Sequence, residues 1–231
     1  YIFLAAGDGA LCHTGAAHQT AEQEVHYILQ FQKGEELRLG DQRTVIPASN
    51  RLIVTRITVN ETVPFSEPYF SYVEEHAKRV TSSVISSFNA LRDKSLLLER
   101  LRYVSRHVGR YRAAAPQGIV FFEDAHYHSP EIKRVCLETI YRDADIVSFN
   151  EEELDETLRF YGGGTGEDEL SAFVKGARLV RSRFGVRRGV VLHTKDYAMY
   201  VGERGTLRME DGMIYGNLLA TAKAMNGTYG T

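Results

Sequence analysis

Cysteine is scarce in this sequence, and neither sign of charge is in large excess. Its two cysteines, Cys12 and Cys136, lie too far apart to suggest a disulfide framework or the spacing of a metal site. We therefore expect a protein of the reducing cytoplasm. The 28 basic and 30 acidic residues leave a net charge of −2, which argues against nucleic acid as a partner. No apolar run approaches the roughly 20 residues of a membrane span, so we expect no membrane partner either.

The length and composition predict one main domain with a small satellite. The chain has 231 residues, of which 43% are hydrophobic, and this is enough apolar material for one sizeable core. It begins at Tyr1 without an initiator methionine and stops at Thr231. We therefore expect an internal part of a longer protein.

Short apolar runs alternate with helical patterns from residue 80 onward. The predicted strands are 80–85, 118–122, 146–149, 189–192 and 197–201. The predicted helices are 95–112, 130–141, 151–160, 168–184 and 216–225. Continuous apolar strands between helices indicate an α/β fold whose mostly parallel sheet is covered on both faces. Residues 1–66 instead contain alternating segments, which predict antiparallel strands in a small β-rich lid, whereas residues 67–231 form the core domain.

Polar side chains follow the first four predicted strands of the core, where α/β sheets bind their ligands. Asn89 follows the first strand and Asn150 opens a run of three glutamates after the third. Glu123 and Asp124 follow the second strand, and His193 follows the fourth. Carboxylates gathered at one edge repel one another, so a bound cation would stabilise them. Oxygen ligands favour Mg²⁺ over zinc.

Each of these features has a simpler interpretation. Asn150 is a good helix N-cap, and glutamates in a first turn complement the helix dipole. The pair His126 and His128 suggests zinc, but no third ligand has the expected spacing. The glycine-rich segment 162–166 lacks the Lys-Ser/Thr of a phosphate-binding loop and follows a helix, so it is interpreted as a connector.

Five segments, in this order, resemble the ADP-dependent phosphofructokinase and glucokinase family, a branch of the ribokinase-like fold. HYILQFQKGEEL (26–37) resembles the segment that leads out of the family's lid, and PASNRLIV (47–54) is similar to its Asn-Arg-Phe stretch. VFFEDA (120–125) stands at the place of the His-x-Glu motif. SFNEEEL (148–154) fits the Asn-x-x-Glu motif, and VVLHTKDY (190–197) resembles the His-Thr stretch.

The resemblance implies a three-layer α/β/α core that transfers the β-phosphoryl group of ADP to a sugar hydroxyl and releases AMP. Glucose and fructose 6-phosphate remain alternative acceptors. The residues that the resemblance assigns are Glu123 and Glu153 for Mg²⁺, Arg51, Asn150, His193 and Thr194 for the nucleotide, and Asn50 and Asn89 for the sugar.

Leu52 replaces the phenylalanine of Asn-Arg-Phe, and two further departures from the family pattern matter more. Phe121 replaces the histidine of His-x-Glu. The family's catalytic base, the aspartate of a Gly-x-Gly-Asp motif, is expected beyond Thr231, so no catalytic base is assigned within this chain. Two alternatives follow. One is a catalytically inactive homologue that only binds nucleotide or sugar, and the other is a metallohydrolase site made of Glu123, His126, His128 and His193.

Overall fold

The computed structural model describes residues 25–47, 50–56, 62–162, 169–194, 196–205 and 208–226. The chain divides into two compact units, Tyr1–Glu61 and Thr62–Thr231. This division falls a few residues before the boundary after residue 66 that the sequence suggests. The reason is that Val63 and Phe65 already pack against the core of the second unit.

The first unit contains two antiparallel strand pairs. Strand β1 (Val25–Phe31) pairs with β4 (Asn50–Arg56), and β2 (Glu36–Leu39) pairs with β3 (Gln42–Val45). The alternating pattern of the sequence correctly predicted antiparallel strands here. Gly40 joins β2 to β3 with a φ of 60°, a left-handed conformation that glycine adopts without steric cost.

The second unit is built around one five-stranded sheet. Its elements, in chain order, are α1 (Glu67–Glu75), β5 (Ser82–Ile85), α2 (Lys94–Ala114), β6 (Ile119–Glu123), α3 (Pro130–Thr139), β7 (Ile146–Phe149), α4 (Glu151–Arg159), α5 (Glu169–Phe184), β8 (Gly189–His193), β9 (Ala198–Gly202) and α6 (Met209–Asn226). The strand order is β5-β6-β7-β8-β9, with β5 to β8 parallel and β9 antiparallel. All four residues of β7 are buried, so both faces of the sheet are covered at its centre. The prediction of a covered, mostly parallel sheet is confirmed.

Apolar residues at regular spacing explain how the helices pack on this sheet. In α2 the buried side chains Leu97, Leu101, Val104 and Val108 recur every three or four residues and form one face. Strands β6, β7 and β8 contribute the buried side chains Val120, Phe122, Val147, Phe149, Val190 and Leu192. Burial of each such side chain stabilises the fold by about 1.5–3 kcal/mol relative to exposure.

Asp145 organises the opposite end of the sheet from the candidate site. It directly precedes β7, is 2% exposed and accepts a 2.8 Å hydrogen bond from the backbone N–H of Val120. Arg112 donates a 3.0 Å hydrogen bond to the same carboxylate, and Arg187 lies 3.3 Å from its other oxygen. These contacts join β6, β7 and the segment before β8, so Asp145 serves the fold.

Helix boundaries agree with the sequence where capping signals exist. Helix α4 begins directly after Asn150, and α5 is followed by Gly185 with a φ of 68°. The prediction for α6 was wrong at its start, since the helix begins at Met209 instead of residue 216. The segment interpreted as a connector spans residues 162–166, and all of it after residue 162 lies outside the described residues. In the ranges given above, no helix is both long and apolar enough to cross a bilayer.

Candidate active site

The carboxyl ends of three neighbouring parallel strands bring predicted site residues together. Glu123 is the last residue of β6 and pairs in register with Ser148 of β7. Asn150 directly follows β7, and His193 is the last residue of β8. Since β6, β7 and β8 are adjacent and parallel, these three side chains lie at one edge of the sheet, where open α/β sheets bind ligands.

Asn150 and Glu153 form a complete capping box at the start of α4. The Asn150 side-chain oxygen accepts a 2.8 Å hydrogen bond from the Glu153 backbone N–H. In return, the Asn150 backbone N–H donates a 2.8 Å bond to Oε2 of Glu153. The cap interpretation of the sequence is therefore confirmed. Because the box uses only Oε2, it fixes the Glu153 side chain without occupying both carboxylate oxygens.

His193, at the end of β8, lies close to side chains of β6 and β7. Its Nε2 lies 3.9 Å from Oε1 of Glu123, an ion pair when the imidazole is protonated. Its Nδ1 lies 3.2 Å from the Ser148 hydroxyl. The side chains of His193 and Glu123 are 47% and 37% exposed, whereas Glu153 is only 8% exposed. The site is thus open to solvent on one side and has a buried carboxylate on the other.

Burial and nearby charges shift the pKa of Glu153. Burial raises the pKa of Glu153, and the negative charge of Glu123 raises it further. The Asn150 amide and the charges of His193 and Lys133 act in the opposite direction. Two carboxylates that repel each other here form a pair to which a cation could bind. Within the described ranges, no three His, Cys, Asp or Glu side chains are grouped so that protein ligands alone could hold a metal.

Asp124, which the sequence analysis placed among the polar residues at the strand ends, is a buried acid. It is 4% exposed, and its backbone N–H donates to the Ser148 carbonyl at 3.0 Å. Burial raises the pKa of its carboxyl to about 7, although the Lys133 charge and the nearby hydroxyls of Tyr141 and Tyr127 lower it. Neither hydroxyl is placed to complete a hydrogen bond to the carboxylate oxygens. The alternation of β6 carried the signal, because Asp124 continues the inward positions of Val120 and Phe122.

Lys133 is a second buried charged residue, and the sequence analysis missed it. It lies in α3 and is 0% exposed, on the face that also buries Ile132, Cys136 and Leu137. Its Nζ reaches α4, where it donates to the Glu153 carbonyl oxygen at 3.2 Å and to Oε2 of Glu156 at 2.8 Å. Its spacing to the apolar residues of α3 was the available signal.

Two other predicted residues already bind the backbone. The Asn89 side-chain amide donates a 3.1 Å hydrogen bond to the His126 carbonyl and so joins the loops after β5 and β6. Thr194 closes the turn between β8 and β9, where its hydroxyl donates to the Tyr197 carbonyl and accepts from the Asp196 and Tyr197 backbone N–H groups.

The remaining predicted residues lie in the first unit and in the segment that follows β6. Asn50 and Arg51 begin β4 in the first unit. His126 and His128 are both exposed, on either side of the buried Tyr127. The Nδ1 of His126 lies 3.9 Å from Glu156. The metallohydrolase alternative therefore has no grouped ligand set among the described residues.

The fold and the strand-end cluster are those of an α/β protein that binds its ligand at the carboxyl ends of parallel strands. The chain also matches the family model described as the ADP-specific Phosphofructokinase/Glucokinase conserved region over residues 10–229. The chain therefore belongs to the ADP-specific phosphofructokinase/glucokinase family.

Individual relatives agree with this assignment. The chain is 22% identical to the ADP-specific phosphofructokinase of Pyrococcus horikoshii, with 88% of this chain and 48% of the relative covered. It is 23% identical to the enzyme of the same name from Thermococcus zilligii, with 87% and 46% covered. The chain thus spans about half the length of the curated relatives that it matches.

Solved structures show the same fold. A Pyrococcus horikoshii phosphofructokinase with AMP superposes with a TM-score of 0.68 at 21% identity, covering 93% of this chain and 50% of that one. An ADP-dependent kinase in complex with fructose-6-phosphate and ADPβS superposes with a TM-score of 0.71 at 19% identity, covering 94% and 50%.

Proposed function

We propose that the full-length protein transfers the β-phosphoryl group of ADP to a hydroxyl of a hexose or hexose phosphate and releases AMP. The observation that carries the proposal is the placement of Glu153, which the capping box fixes beside Glu123 and His193 at the ligand-binding edge of the sheet. Family membership supplies the reaction class. In this reaction the sugar hydroxyl gives up its proton to a base, and its oxygen bonds to the β-phosphorus. The bond from the β-phosphorus to the bridging oxygen breaks, and AMP leaves with that oxygen.

The donor set suits Mg²⁺, which retains waters and needs only one or two carboxylates when substrate phosphates complete its shell. Glu123 and Glu153 would hold the ion, directly or through its waters, and their mutual repulsion would be relieved by its charge. When bound, Mg²⁺ neutralises charge on the diphosphate oxygens. Asn150 would orient Glu153 through the capping box.

We assign the remaining polar groups by the same resemblance. Arg51, His193 and Thr194 would contact the nucleotide, and Asn50 and Asn89 would contact the sugar. For Asn89 the proposal has a constraint, since its amide nitrogen is already bound to the His126 carbonyl. Its side-chain oxygen is then the atom that would meet a sugar hydroxyl. The cytoplasm remains the predicted location.

Fructose 6-phosphate is the acceptor to test first, because the two curated relatives are named ADP-specific phosphofructokinases. Glucose is the alternative. The assay incubates full-length protein with ADP, Mg²⁺ and each sugar, and it measures AMP and sugar phosphate. ATP serves as the competing donor. Phosphorylation from ATP alone would exclude the ADP assignment.

The Glu153→Gln variant tests the site within the same assay. The amide oxygen of glutamine can still accept the hydrogen bond from the Asn150 N–H, so the helix cap is retained while the charge is lost. We expect turnover to fall at least about tenfold, as for other losses of metal-site groups. The matched control is Glu152→Gln, because Glu152 is an exposed acid in the same helical turn. Equal turnover in both variants would show that the Glu153 charge is not part of the site.

One observation favours a second candidate, a homologue that binds ligands without turnover. Phe121 stands where the family has the histidine of His-x-Glu, so one polar side chain is missing beside Glu123. Calorimetric titration with ADP, AMP and sugars separates the two candidates. Binding without formation of sugar phosphate in the full-length protein would favour the inactive homologue.

A further inference from the structure

Lys133 is a fully buried positive charge. Its side chain is 0% exposed within α3, although a buried ammonium group is costly unless it is paired and hydrogen-bonded. The lysine nitrogen meets this requirement because both of its hydrogen-bond acceptors within the described part of the chain belong to α4. It also lies 5.8 Å from the ring centre of Tyr127, in the segment before α3, at the range of a cation–π contact.

The contacts of Lys133 converge on the first turns of the helix that carries Glu153. The lysine donates to the Glu153 carbonyl oxygen at 3.2 Å and to the Glu156 carboxylate at 2.8 Å. The Thr157 hydroxyl donates to the same Glu153 carbonyl at 2.8 Å. Lys133 of α3 thus holds the carbonyl oxygen of Glu153. Asn150 holds the backbone N–H and the carboxylate of the same residue.

We propose that Lys133 is a positioning residue, which anchors the backbone of Glu153 to α3 and thereby holds the Glu153 carboxylate where the magnesium–ADP complex binds. The proposal rests on the proposed function, because it assigns a role to Lys133 through Glu153. The ion pair with Glu156 and the hydrogen bond to the Glu153 carbonyl both satisfy the buried ammonium. The additional hydrogen bond to Glu153 itself is what directs the effect of Lys133 to the site.

The experiment removes the ion pair as a unit in the full-length protein. In Lys133→Met/Glu156→Leu, both charges disappear, so no charge is left unpaired. Lys133 is fully buried and the Glu156 side chain is 32% exposed, and apolar replacement of a buried charge together with its partner is often neutral for stability. The measured quantity is the affinity for Mn²⁺ in the presence of ADP, followed by the electron paramagnetic resonance signal of free Mn²⁺. We expect thermal unfolding close to that of the wild type and affinity lowered about 10- to 100-fold, as for other supporting groups of metal sites.

A matched control comes from the same region of the fold. Lys94→Met/Glu131→Leu removes an exposed ion pair between α2's first residue and α3, whose Nζ and Oε1 lie 2.6 Å apart. This variant should bind Mn²⁺ with ADP as the wild type does. If Lys133→Met/Glu156→Leu does not fold, Lys133→Gln/Glu156→Gln replaces the ion pair with two amides and is measured in the same way.

The outcomes separate this inference from the proposed function. A wild type that binds no Mn²⁺ with ADP contradicts the proposed function. A wild type that binds, together with a folded Lys133 variant whose affinity is within about threefold of it, overturns the positioning role. Weaker binding in the Lys133 variant but not in the Lys94 variant supports it.

Discussion

Replacement of Asp124 by asparagine should stabilise the protein increasingly as the pH rises. Asp124 is 4% exposed, and burial raises the pKa of its carboxyl from an ordinary 3.8 to about 7. An acid whose pKa is raised by folding binds its proton more tightly in the folded state. It therefore does not penalise folding below the unfolded pKa, and its penalty grows until the pH exceeds the folded pKa.

The size of the effect follows from the two pKa values. Each pH unit between the unfolded and the folded pKa adds about 1.4 kcal/mol to the cost, and the cost levels off above about pH 7. From about pH 5 to about pH 8 the cost of the ionisable carboxyl to the wild type therefore grows by about 3 kcal/mol. Asp124→Asn lacks this cost. Its free energy of unfolding minus that of the wild type should increase by about that amount over the same interval.

Urea denaturation of both proteins at the two pH values measures this difference. EDTA is included, because a divalent cation at neighbouring Glu123 would favour the ionised carboxyl. Any fixed cost of burying the amide cancels, since only the change with pH is compared. A difference between variant and wild type that stays constant with pH would refute the reasoning about Asp124.

Two further predictions concern the fold. Asp145→Ala should lower the free energy of unfolding by about 3–5 kcal/mol, since it leaves buried donors unpaired. Arg187→Ala removes a side chain that is 54% exposed and should cost less than about 1 kcal/mol. Similar losses for the two variants in urea denaturation would contradict this role of Asp145. Gly118→Ala should cost about 1–3 kcal/mol, because a Cβ there would collide with the buried Tyr111 ring. Thermal unfolding at the wild-type temperature would show that the Tyr111 ring can move aside.

The sequence predicted those parts of the fold that have local signals. Strand β7 lies where a continuous apolar run predicted it, and α4 begins at its predicted cap. Helix α6 has apolar residues around its whole circumference, including the exposed Ile214 and Leu218, so no amphipathic period marked its start. The site prediction used strand ends in the same way, and the parallel order of β6, β7 and β8 brought Glu123, Asn150 and His193 to one edge.

Asp124 and Lys133 show why the rest could not be predicted. Charged residues are usually exposed, so a local pattern gives them a solvent-facing position. Here their burial depends on neighbours that are distant in sequence. Glu156 of α4 pairs with Lys133 of α3, and Ser148 of β7 accepts the backbone N–H of Asp124. Both residues occupy inward positions of their own strand or helix. The periodicity of the element therefore predicts their burial better than the residue type does.

The capping box couples the stability of α4 to the geometry of the site. Asn150 and Glu153 exchange two hydrogen bonds, one of which uses a carboxylate oxygen that would otherwise be available to a ligand. The helix therefore gains its cap from the residue that the site needs, and the site gains a carboxylate held in one orientation. Truncation of Glu153 to alanine would remove both at once. Glutamine separates them, because it can keep the bond to Asn150 and removes only the charge that a cation would require.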